Sequence, residues 1–299
     1  MKKIVSMVLT FICILGVSFV TGCGNESSIY SFTKYDLDPV STEGVNFVNK
    51  GKLTVAMSTD YAPMEFVDLT LSGQDKYIGA DVELAKAIAC AFGVELEIKA
   101  MDFEVTMTAL DEGLADIAIS GISYTDERAA SYLFTDCYYS KGDGGQVVVI
   151  KKGNENKFPT LDSLNKNNIK IAAQSASLQM DLVKEQLPNA TVVEITDLNS
   201  AYDALTSGSC DGVAVAAQVA ETLVLAFPDK YVICDEAFDY IESGNYALVK
   251  KGNEALKDAV NKVIKQITNQ MFSVWVDEAN AAFAKLGVNA AEDIIPEEE

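Results

Sequence analysis

The residues best suited to chemistry form one short segment that ends in an arginine, Ser120-Gly121-Ile122-Ser123-Tyr124-Thr125-Asp126-Glu127-Arg128. A guanidinium can meet a carboxylate with two parallel N–H bonds, a match that matters most when the carboxylate leaves water. The hydroxyls of Ser120 and Ser123 and the backbone amide of Gly121 can add further donors. These residue types can form a carboxylate-binding site, but taken alone they favour a surface arginine beside acidic residues, and only the motifs elsewhere in the sequence, described below, make the carboxylate site the leading expectation.

The composition excludes several kinds of chemistry. The 299 residues contain no histidine, which removes Ser-His-Asp and Cys-His catalysis and the commonest zinc ligand. Asp and Glu number 44 against 23 Lys and Arg, and no Lys/Arg run occurs beyond the first three residues, so the surface repels nucleic acid. No metal site, cofactor or catalytic residue is predicted, and the chain has no G-x-x-x-x-G-K-[ST] loop for ATP.

Residues 1–22 have the features of a secretory signal peptide. Lys2 and Lys3 form a charged start, residues 4–20 are apolar, and the apolar run is marginal in length for crossing a bilayer. The stretch that ends at Cys23 resembles the bacterial lipoprotein signal, in which the cysteine is diacylated and becomes the new N-terminus. We expect an extracytoplasmic protein anchored to the cell membrane by lipid on Cys23; a retained transmembrane helix and ordinary secretion are the alternatives.

The mature chain has four cysteines besides Cys23, namely Cys90, Cys137, Cys210 and Cys234. An even number outside the cytoplasm permits disulfides, and none of the spacings forms a C-x-x-C metal or redox pair. Cys90 falls on the apolar stripe of a predicted helix, which favours a buried free thiol. A Cys210–Cys234 bridge is an alternative that the sequence leaves open.

Hydrophobic periodicity indicates alternating strands and helices along most of the chain. In the first unit it predicts, in order, a strand, helix, strand, helix, strand and helix over 52–57, 78–92, 94–98, 105–114, 116–119 and 125–132. The pattern restarts near residue 146 and returns to a strand over 246–249. Such alternation predicts an α/β fold of two lobes, each a mostly parallel sheet flanked by helices, with a ligand cleft between the lobes.

The predicted organisation along the chain follows from that alternation. The chain crosses between the lobes twice, at 144–147 and 242–246, which predicts a hinge where Gly144, Gly145 and Gly244 absorb the rotation. The predicted boundaries are 1–22 for the signal peptide, 23–49 for a polar tether, 50–145 with 245–286 for lobe 1, 146–244 for lobe 2, and 287–299 for an acidic tail.

Five segments resemble, in the same order, the polar-amino-acid family of periplasmic-type substrate-binding proteins of ABC transporters (family 3), which includes histidine- and glutamine-binding proteins. The segments are 58–66, 79–88, 101–117, 119–128 and 134–139. With weaker matches in the second lobe, the resemblance covers about residues 50–285. It implies the two-lobed periplasmic-binding-protein-like fold with its ligand between the lobes.

In the first lobe, the resemblance assigns ligand contacts to residues of three segments. It implies that Arg128 and Ser123 bind the ligand α-carboxylate. Tyr61 matches the aromatic residue that covers the ligand, and Phe103 matches a second apolar wall. Packing of Tyr61 on its own lobe and a core position for Phe103 are the alternatives.

In the second lobe, residues 173–179 follow a predicted strand and open a helix, whose free N–H groups suit an anion. The resemblance implies that Gln174, Ser177 and Leu178 contribute to the ligand site, with a simple N-cap at Ser177 as the alternative. Ala176 stands where the family usually has Gly, a residue that permits a positive φ or close approach of a ligand. The loop conformation is therefore left open.

One position departs from the family in a way that bears on ligand chemistry. Ala216 occupies the place of the Asp that usually pairs with the ligand α-ammonium. Two explanations remain open. Another acid, such as Glu65 or Glu242, supplies the charge, or the ligand lacks a free α-amino group or binds it through water or Gln218.

The resemblance implies a function in solute import. The protein would capture a polar amino acid or a related ligand by lobe closure and deliver it to the membrane permease of an ABC importer, whose ATPase is a separate chain. We expect no enzymatic activity, and a monomer is the default. The alternatives are a ligand sensor feeding a signalling receptor, a dehydratase-like enzyme with Glu65 as its acid, and a structural surface lipoprotein.

Overall fold

The computed structural model describes residues 30–141, 145–241 and 244–292, with side chains described to residue 287. Outside this part of the chain lie the predictions for residues 1–22, Cys23, Gly144, Glu242 and 293–299. Two five-stranded sheets with helices on their faces form the expected two-lobed α/β fold. Among the helices so described, none combines the length and the apolar character needed to cross a membrane.

The secondary structure follows the alternation that the sequence predicts. The strands, in chain order, are β1 (Lys52–Met57), β2 (Asp60–Tyr61), β3 (Glu65–Val67), β4 (Tyr77–Ile78), β5 (Glu95–Ala100), β6 (Ile117–Ser123), β7 (Tyr132–Phe134), β8 (Gln146–Lys151), β9 (Lys170–Gln174), β10 (Thr191–Ile195), β11 (Gly212–Ala216), β12 (Tyr231–Ile233) and β13 (Asn245–Lys250). The helices are α1 (Ala80–Phe92), α2 (Phe103–Asp111), α3 (Asp126–Ser131), α4 (Leu161–Leu164), α5 (Leu178–Gln186), α6 (Leu198–Ser207), α7 (Ala217–Ala226), α8 (Glu254–Ile264) and α9 (Asn269–Glu292).

Each lobe is built on one mixed sheet. The order is β5-β1-β6-β13-β7 in lobe 1 and β10-β9-β11-β8-β12 in lobe 2. In each sheet, two pairings are parallel and the two pairings of one strand, β13 or β8, are antiparallel. Four of the five strands in each sheet therefore run in one direction, as the prediction of mostly parallel sheets requires, and the strand that arrives from the other lobe runs against them.

Local sequence explains why α1 covers the lobe 1 sheet. Val82, Ala85, Ile88 and Phe92 repeat at helical spacing, and all four are buried in the lobe 1 core. The helix begins later than predicted because Tyr77–Ile78 pairs with β3 in a small sheet, β2-β3-β4. That sheet was not predicted, because strands of two or three residues show no period.

The segment before β1 packs on lobe 1, in contrast to the predicted tether. The Tyr30 hydroxyl donates to Asp68 at 2.7 Å, and the Val40 amide donates to the Ala91 carbonyl at 2.8 Å. Tyr30 and Val40 are both buried. Residues 30–49 are therefore part of the lobe rather than a free linker. The sequence predicted a tether because the segment is polar on average and its buried apolar residues are few.

The last helix, α9, contacts both lobes and continues beyond the predicted end of lobe 1. Its Trp275 is buried in the lobe 1 core, and Asn280 Oδ1 accepts a hydrogen bond from Thr222 in α7 at 2.6 Å. The Phe283 ring lies 5.3 Å from that of Phe66 in lobe 1 and 6.3 Å from that of Phe227 in lobe 2. One helix therefore links the two lobes in addition to the crossing strands.

Two predictions for the cysteines are settled. Cys90 lies exposed on α1 and is disulfide-bonded, so the prediction of a buried free thiol is wrong. It occupies the exposed side of the last turn, whose buried side carries Ala89 and Phe92. Cys210 and Cys234 are buried free thiols, so no bridge joins them.

A protein that begins at residue 50 is expected to be less stable than one that begins at residue 30. Removing the segment uncovers apolar surface on α1 and α9, and each large apolar side chain lost from burial costs about 1.5–3 kcal/mol. We expect the free energy of unfolding to fall by at least about 3 kcal/mol. Urea denaturation of both proteins measures the difference, and equal stabilities would identify the segment as a tether after all.

Candidate functional site

Arg128 lies at the junction of the two lobes. It belongs to α3, whose cap residue Thr125 accepts a hydrogen bond from the Arg128 amide at 3.2 Å. Its Nη1 donates to the Ser123 carbonyl of lobe 1 at 2.7 Å, and its Nη2 donates to the Ala176 carbonyl of lobe 2 at 2.9 Å. The guanidinium carbon lies 5.5 Å from the centre of the Phe103 ring. Both lobes therefore fix the orientation of this cation.

The charge of Arg128 is buried without an acidic neighbour. It is the only arginine of the chain, and 8% of its surface is exposed. Within the described ranges, no carboxylate lies within 4.0 Å of its guanidinium. Burial lowers the pKa of Arg128, and the more distant charge of Asp181 opposes that shift. Since a buried unpaired cation is unfavourable, this position suits an anionic group of a ligand.

The loop before α5 adopts the conformation that glycine usually provides. Ala176 has φ 56°, a left-handed value that costs an L-residue about 1–2 kcal/mol, and its carbonyl meets Arg128. Ser177 caps α5 by accepting a hydrogen bond from the Met180 amide at 3.1 Å, as the N-cap alternative predicts. Its hydroxyl proton is not used there and can serve a ligand. Leu178 is half-buried at the first position of the helix.

A second polar contact between the lobes centres on Asp60, which the sequence prediction missed. Asp60 Oδ2 accepts from Gln174 Nε2 at 3.0 Å and from the Leu198 amide at 2.7 Å, and Oδ1 accepts from Ser58 at 2.6 Å. Burial raises the pKa of Asp60, while the bonds from Ser58 and Leu198 oppose the shift. Gln174 therefore binds the protein rather than an open cleft. The available signal was the place of Asp60 directly before Tyr61.

Two donors predicted to face the ligand have partners behind the strand instead. Ser120 Oγ donates to Glu65 Oε1 and accepts from the Ser58 amide at 3.0 Å. The Gly121 amide donates to Asp81 Oδ2 at 2.8 Å. In this arrangement both donors are engaged by the protein, because buried carboxyls require donors and β6 supplies the nearest ones.

The aromatic residue Tyr61 lies flat against β6 at a glycine. A Cβ added to Gly121 would sit 2.7 Å from Tyr61 Cε1, and Gly121 has φ +55°, so this position admits no side chain without movement. Phe103 combines both predicted roles. It is buried in a core cluster with Met107 and Leu110, and it also flanks the guanidinium of Arg128.

Two cavities lie between the lobes. The larger, about 640 Å³, is lined by acidic and aromatic residues of both lobes, among them Asp60, Asp102, Asp197, Tyr77 and Tyr202. The smaller, about 30 Å³ or one water molecule's share of liquid volume, is lined by residues that include Tyr61, Gly121, Ser123, Ala216 and Gln218. Four predicted ligand residues thus meet at the smaller cavity, while Arg128 and Phe103 meet the Ala176 loop beside it.

The structure narrows the alternatives for the missing acid at Ala216. No acidic residue lines the smaller cavity within the part of the chain described. Glu65 is 0% exposed, against 8% for Arg128, and its Oε1 accepts from the Ser120 hydroxyl, so it is not placed to receive a ligand ammonium. Gln218 does line the smaller cavity; its amide has an oxygen that can accept, and its Nε2 is a buried donor without a hydrogen-bond partner among the described residues.

A model of the bacterial extracellular solute-binding proteins, family 3, matches residues 53–272. The chain belongs to this family. The match confirms the family predicted from the five segments, and it covers β1 through the first turn of α9.

The chain is also similar to individual proteins. It is 34% identical over 139 residues to the arginine-binding extracellular protein ArtP of Bacillus subtilis (strain 168), which covers 46% of this chain and 50% of ArtP. A solved amino acid ABC transporter substrate-binding protein from Streptococcus pneumoniae Canada MDR_19A, bound to L-arginine, matches with a TM-score of 0.72, 34% identity and coverage of 78% of this chain and 95% of that chain. The ancestral amino acid-binding protein AncCDT-1, a precursor of cyclohexadienyl dehydratase, matches with a TM-score of 0.67, 28% identity and coverage of 76% and 96%.

Replacing Gly121 with alanine tests the contact with Tyr61. Gly121→Ala combines backbone strain with the displacement of a packed ring, so we expect the free energy of unfolding to fall by about 2–4 kcal/mol. Gly113→Ala is the matched control, because Gly113 has φ +64° with nothing within 4 Å of an added Cβ. It should lose only about 1–2 kcal/mol. Urea denaturation measures both, and equal losses would show that the ring is not held by this contact.

The left-handed conformation of Ala176 leads to a second expectation. Ala176→Gly removes the strain, partly offset by the greater entropy of the unfolded chain, so we expect a gain of about 0.5–1 kcal/mol in the free energy of unfolding. Ala204→Gly, within α6, should instead lose about 1 kcal/mol. Thermal or urea denaturation compares the two variants. A loss at both positions would contradict the strained conformation of the loop.

Proposed function

We propose that this protein is the amino-acid-binding component of an ABC importer and works outside the cytoplasm. The observation that carries the proposal is the buried guanidinium of Arg128, held by both lobes of a solute-binding fold with no ion pair among the described residues. An α-carboxylate in contact with Arg128 accepts two parallel N–H bonds and neutralises the charge.

The other predicted site residues extend this carboxylate site. Ser123 and Ser177 contribute hydroxyl donors from the two lobes, and the N-terminus of α5 favours the negative charge. Tyr61 and Phe103 form apolar walls on either side of the ligand. This arrangement binds any ligand that presents a carboxylate next to a group of moderate size, which fits an amino acid.

The ligand is a polar amino acid or a close derivative. ArtP is named for arginine, and the pneumococcal structure contains L-arginine. The larger cavity carries Asp60, Asp102 and Asp197 against a single lysine, Lys76, so a neutral or cationic side chain is favoured over an acidic one. Because Ala216 brings no charge, the α-ammonium relies on neutral acceptors such as Gln218.

Transport follows from closure of the lobes around the ligand. The ligand favours the closed form because only that form contacts it from both sides. Gly145 and Gly244 flank the crossing strands β8 and β13, and the loaded protein docks as a monomer on a membrane permease. Cleavage before Cys23 and lipid on that residue keep the protein at the membrane.

An enzyme is the second candidate, since AncCDT-1 is named as a precursor of a dehydratase. The acid that such chemistry would use, Glu65, is 0% exposed and lines neither cavity between the lobes. This placement supports binding over catalysis. A sensor role is distinguished by its partner, a signalling receptor in place of a permease.

The proposal is tested by melting the protein, after removal of copurified ligand by unfolding and refolding, with each amino acid and several derivatives. A ligand at a hundredfold excess over its Kd adds about 2.7 kcal/mol of stability, so we expect one class to raise the Tm. Arg128→Met should abolish the shift; its Tm without ligand is measured beside it, because the change removes a buried cation but also leaves the Ser123 and Ala176 carbonyls without their donor. Lys257→Met, on the surface of α8, should keep the full shift.

If no α-amino acid shifts the Tm but carboxylates without a free α-ammonium do, the ligand belongs to that second class and Arg128 remains the residue that binds its carboxylate. A shift that survives in Arg128→Met would contradict the proposed site. Conversion of a candidate substrate into product would favour the enzyme.

A further inference from the structure

Two acidic side chains lie buried directly behind the strand that carries the proposed ligand site. Glu65, from β3, and Asp81, from the first turn of α1, are both 0% exposed. Glu65 Oε1 accepts from the Ser120 hydroxyl. Asp81 Oδ2 accepts from the Gly121 amide and from the Tyr138 hydroxyl, each at 2.8 Å. Each carboxyl therefore uses one oxygen to hold neighbouring groups.

The remaining oxygens, Glu65 Oε2 and Asp81 Oδ1, are buried and receive no hydrogen bond from a donor of the described chain. The two carboxyls are neighbours, because the Asp81 amide donates to the carbonyl of Met64, next to Glu65, at 2.8 Å and the two side chains accept from the adjacent residues Ser120 and Gly121. Two ionised carboxylates have no proton to place between them and repel one another, so this arrangement requires one shared proton.

The surroundings give the pair no positive charge. The groups that face it are Ser120 and Gly121 on β6, Tyr138, and a third acid, Asp60, on β2, with Cys137 beside Tyr138. No lysine or arginine of the described residues forms an ion pair with either carboxyl. The shared proton is therefore what keeps both acids buried.

Strand β6 depends on hydrogen bonds to these two acids because its pairing with β13 is irregular. Its register with β13 shifts between Tyr246 and Leu248, which pair with Ile122 and Ala118. Gly121 lies in this interval with a left-handed φ, and its amide meets Asp81 instead of a strand partner. The carboxyl pair thus holds the part of β6 that Tyr61 covers and that leads to Ser123.

We propose that Glu65 and Asp81 form a carboxyl pair that shares one proton and positions the 120–123 segment, so that ligand affinity falls when the pair loses that proton. This inference rests on the proposed function, since it concerns the same binding site. Both acids are positioning residues, because neither lines the cavities between the lobes.

The direction of the pH effect follows from the environment. Burial raises the pKa of Glu65, together with the charge of Asp81, and burial raises the pKa of Asp81 to about 6 against the bonds from Gly121 and Tyr138. A raised pKa means that the folded protein keeps a proton that the unfolded chain releases. The stabilisation is complete below the ordinary carboxyl pKa and is lost as pH rises through the raised values.

Glu65→Gln provides the sharpest test. The glutamine amide accepts from Ser120 and donates to Asp81, so it imitates the protonated pair at every pH. With the amino acid found in the melting screen, we expect Glu65→Gln to bind within about threefold of the unaltered protein at pH 6. As pH rises to 9.5, the unaltered protein should lose at least tenfold more affinity than Glu65→Gln. Titration of the ligand's own ammonium affects both proteins equally and cancels in the ratio.

Two further variants separate positioning from simple packing. Asp81→Asn accepts from Gly121 and donates to an ionised Glu65, so it should also flatten the pH profile. Glu65→Met fills the space without hydrogen bonds and should lose affinity at all pH values. An affinity ratio between the unaltered protein and Glu65→Gln that stays constant with pH would overturn the proposal, even if both bind ligand well.

A measurement without ligand distinguishes failure of this inference from failure of the proposed function. Between pH 6 and 9.5, the unfolding equilibrium constant of the unaltered protein relative to that of Glu65→Gln should rise by up to tenfold per pH unit, as expected for one proton. If no amino acid binds but this rise is found, the shared proton stands and the proposed function fails. If ligand binds but the rise is absent, the function stands and the shared proton is rejected.

Discussion

The guanidinium of Arg128 imposes the main constraint on the cleft, because a cation this deeply buried must be surrounded by oxygen atoms. The protein supplies two carbonyls, one from each lobe, at 2.7 and 2.9 Å. The second of them requires the left-handed conformation of Ala176, so backbone strain in lobe 2 serves a charge that lobe 1 carries. Neither carbonyl neutralises that charge. The remaining donors of the guanidinium are the reason to assign a carboxylate-bearing ligand to this cleft.

Opposite charges meet one strand within four residues. Glu65 and Asp81 accept from Ser120 and Gly121 of β6, and Arg128 donates to the carbonyl of Ser123 at its end. The strand interrupts its regular pairing between these two environments, where its side chains and amides must serve different partners. Such irregularities often mark functional positions in sheets. In a protein with no histidine, buried carboxyls are the groups left to respond to pH near neutrality.

The sequence predicted the parts of the molecule that depend on repeated patterns. The apolar spacing of α1 and the alternation of strands and helices led to the two lobes, and the segment before Arg128 led to the cleft. The features that the sequence did not predict are single contacts between residues far apart in the chain. Ser120 and Gly121 are polar groups of the right type, but their direction depends on Glu65 and Asp81, which are distant in sequence. The apolar anchors of residues 30–49 are spaced without a period, so a polar composition outweighed them.

The packing of the N-terminal segment limits how far lobe 1 can lie from the proposed lipid anchor at Cys23. Six residues lie between Cys23 and Tyr30, which is bonded to Asp68 of lobe 1, and the seven Cα–Cα steps reach at most about 25 Å. With lipid on Cys23 as proposed, lobe 1 stays within this distance of the bilayer and turns the face that carries Tyr30 toward it. Encounters with a permease then become a search in two dimensions with a restricted set of orientations, which raises the effective concentration of the two partners.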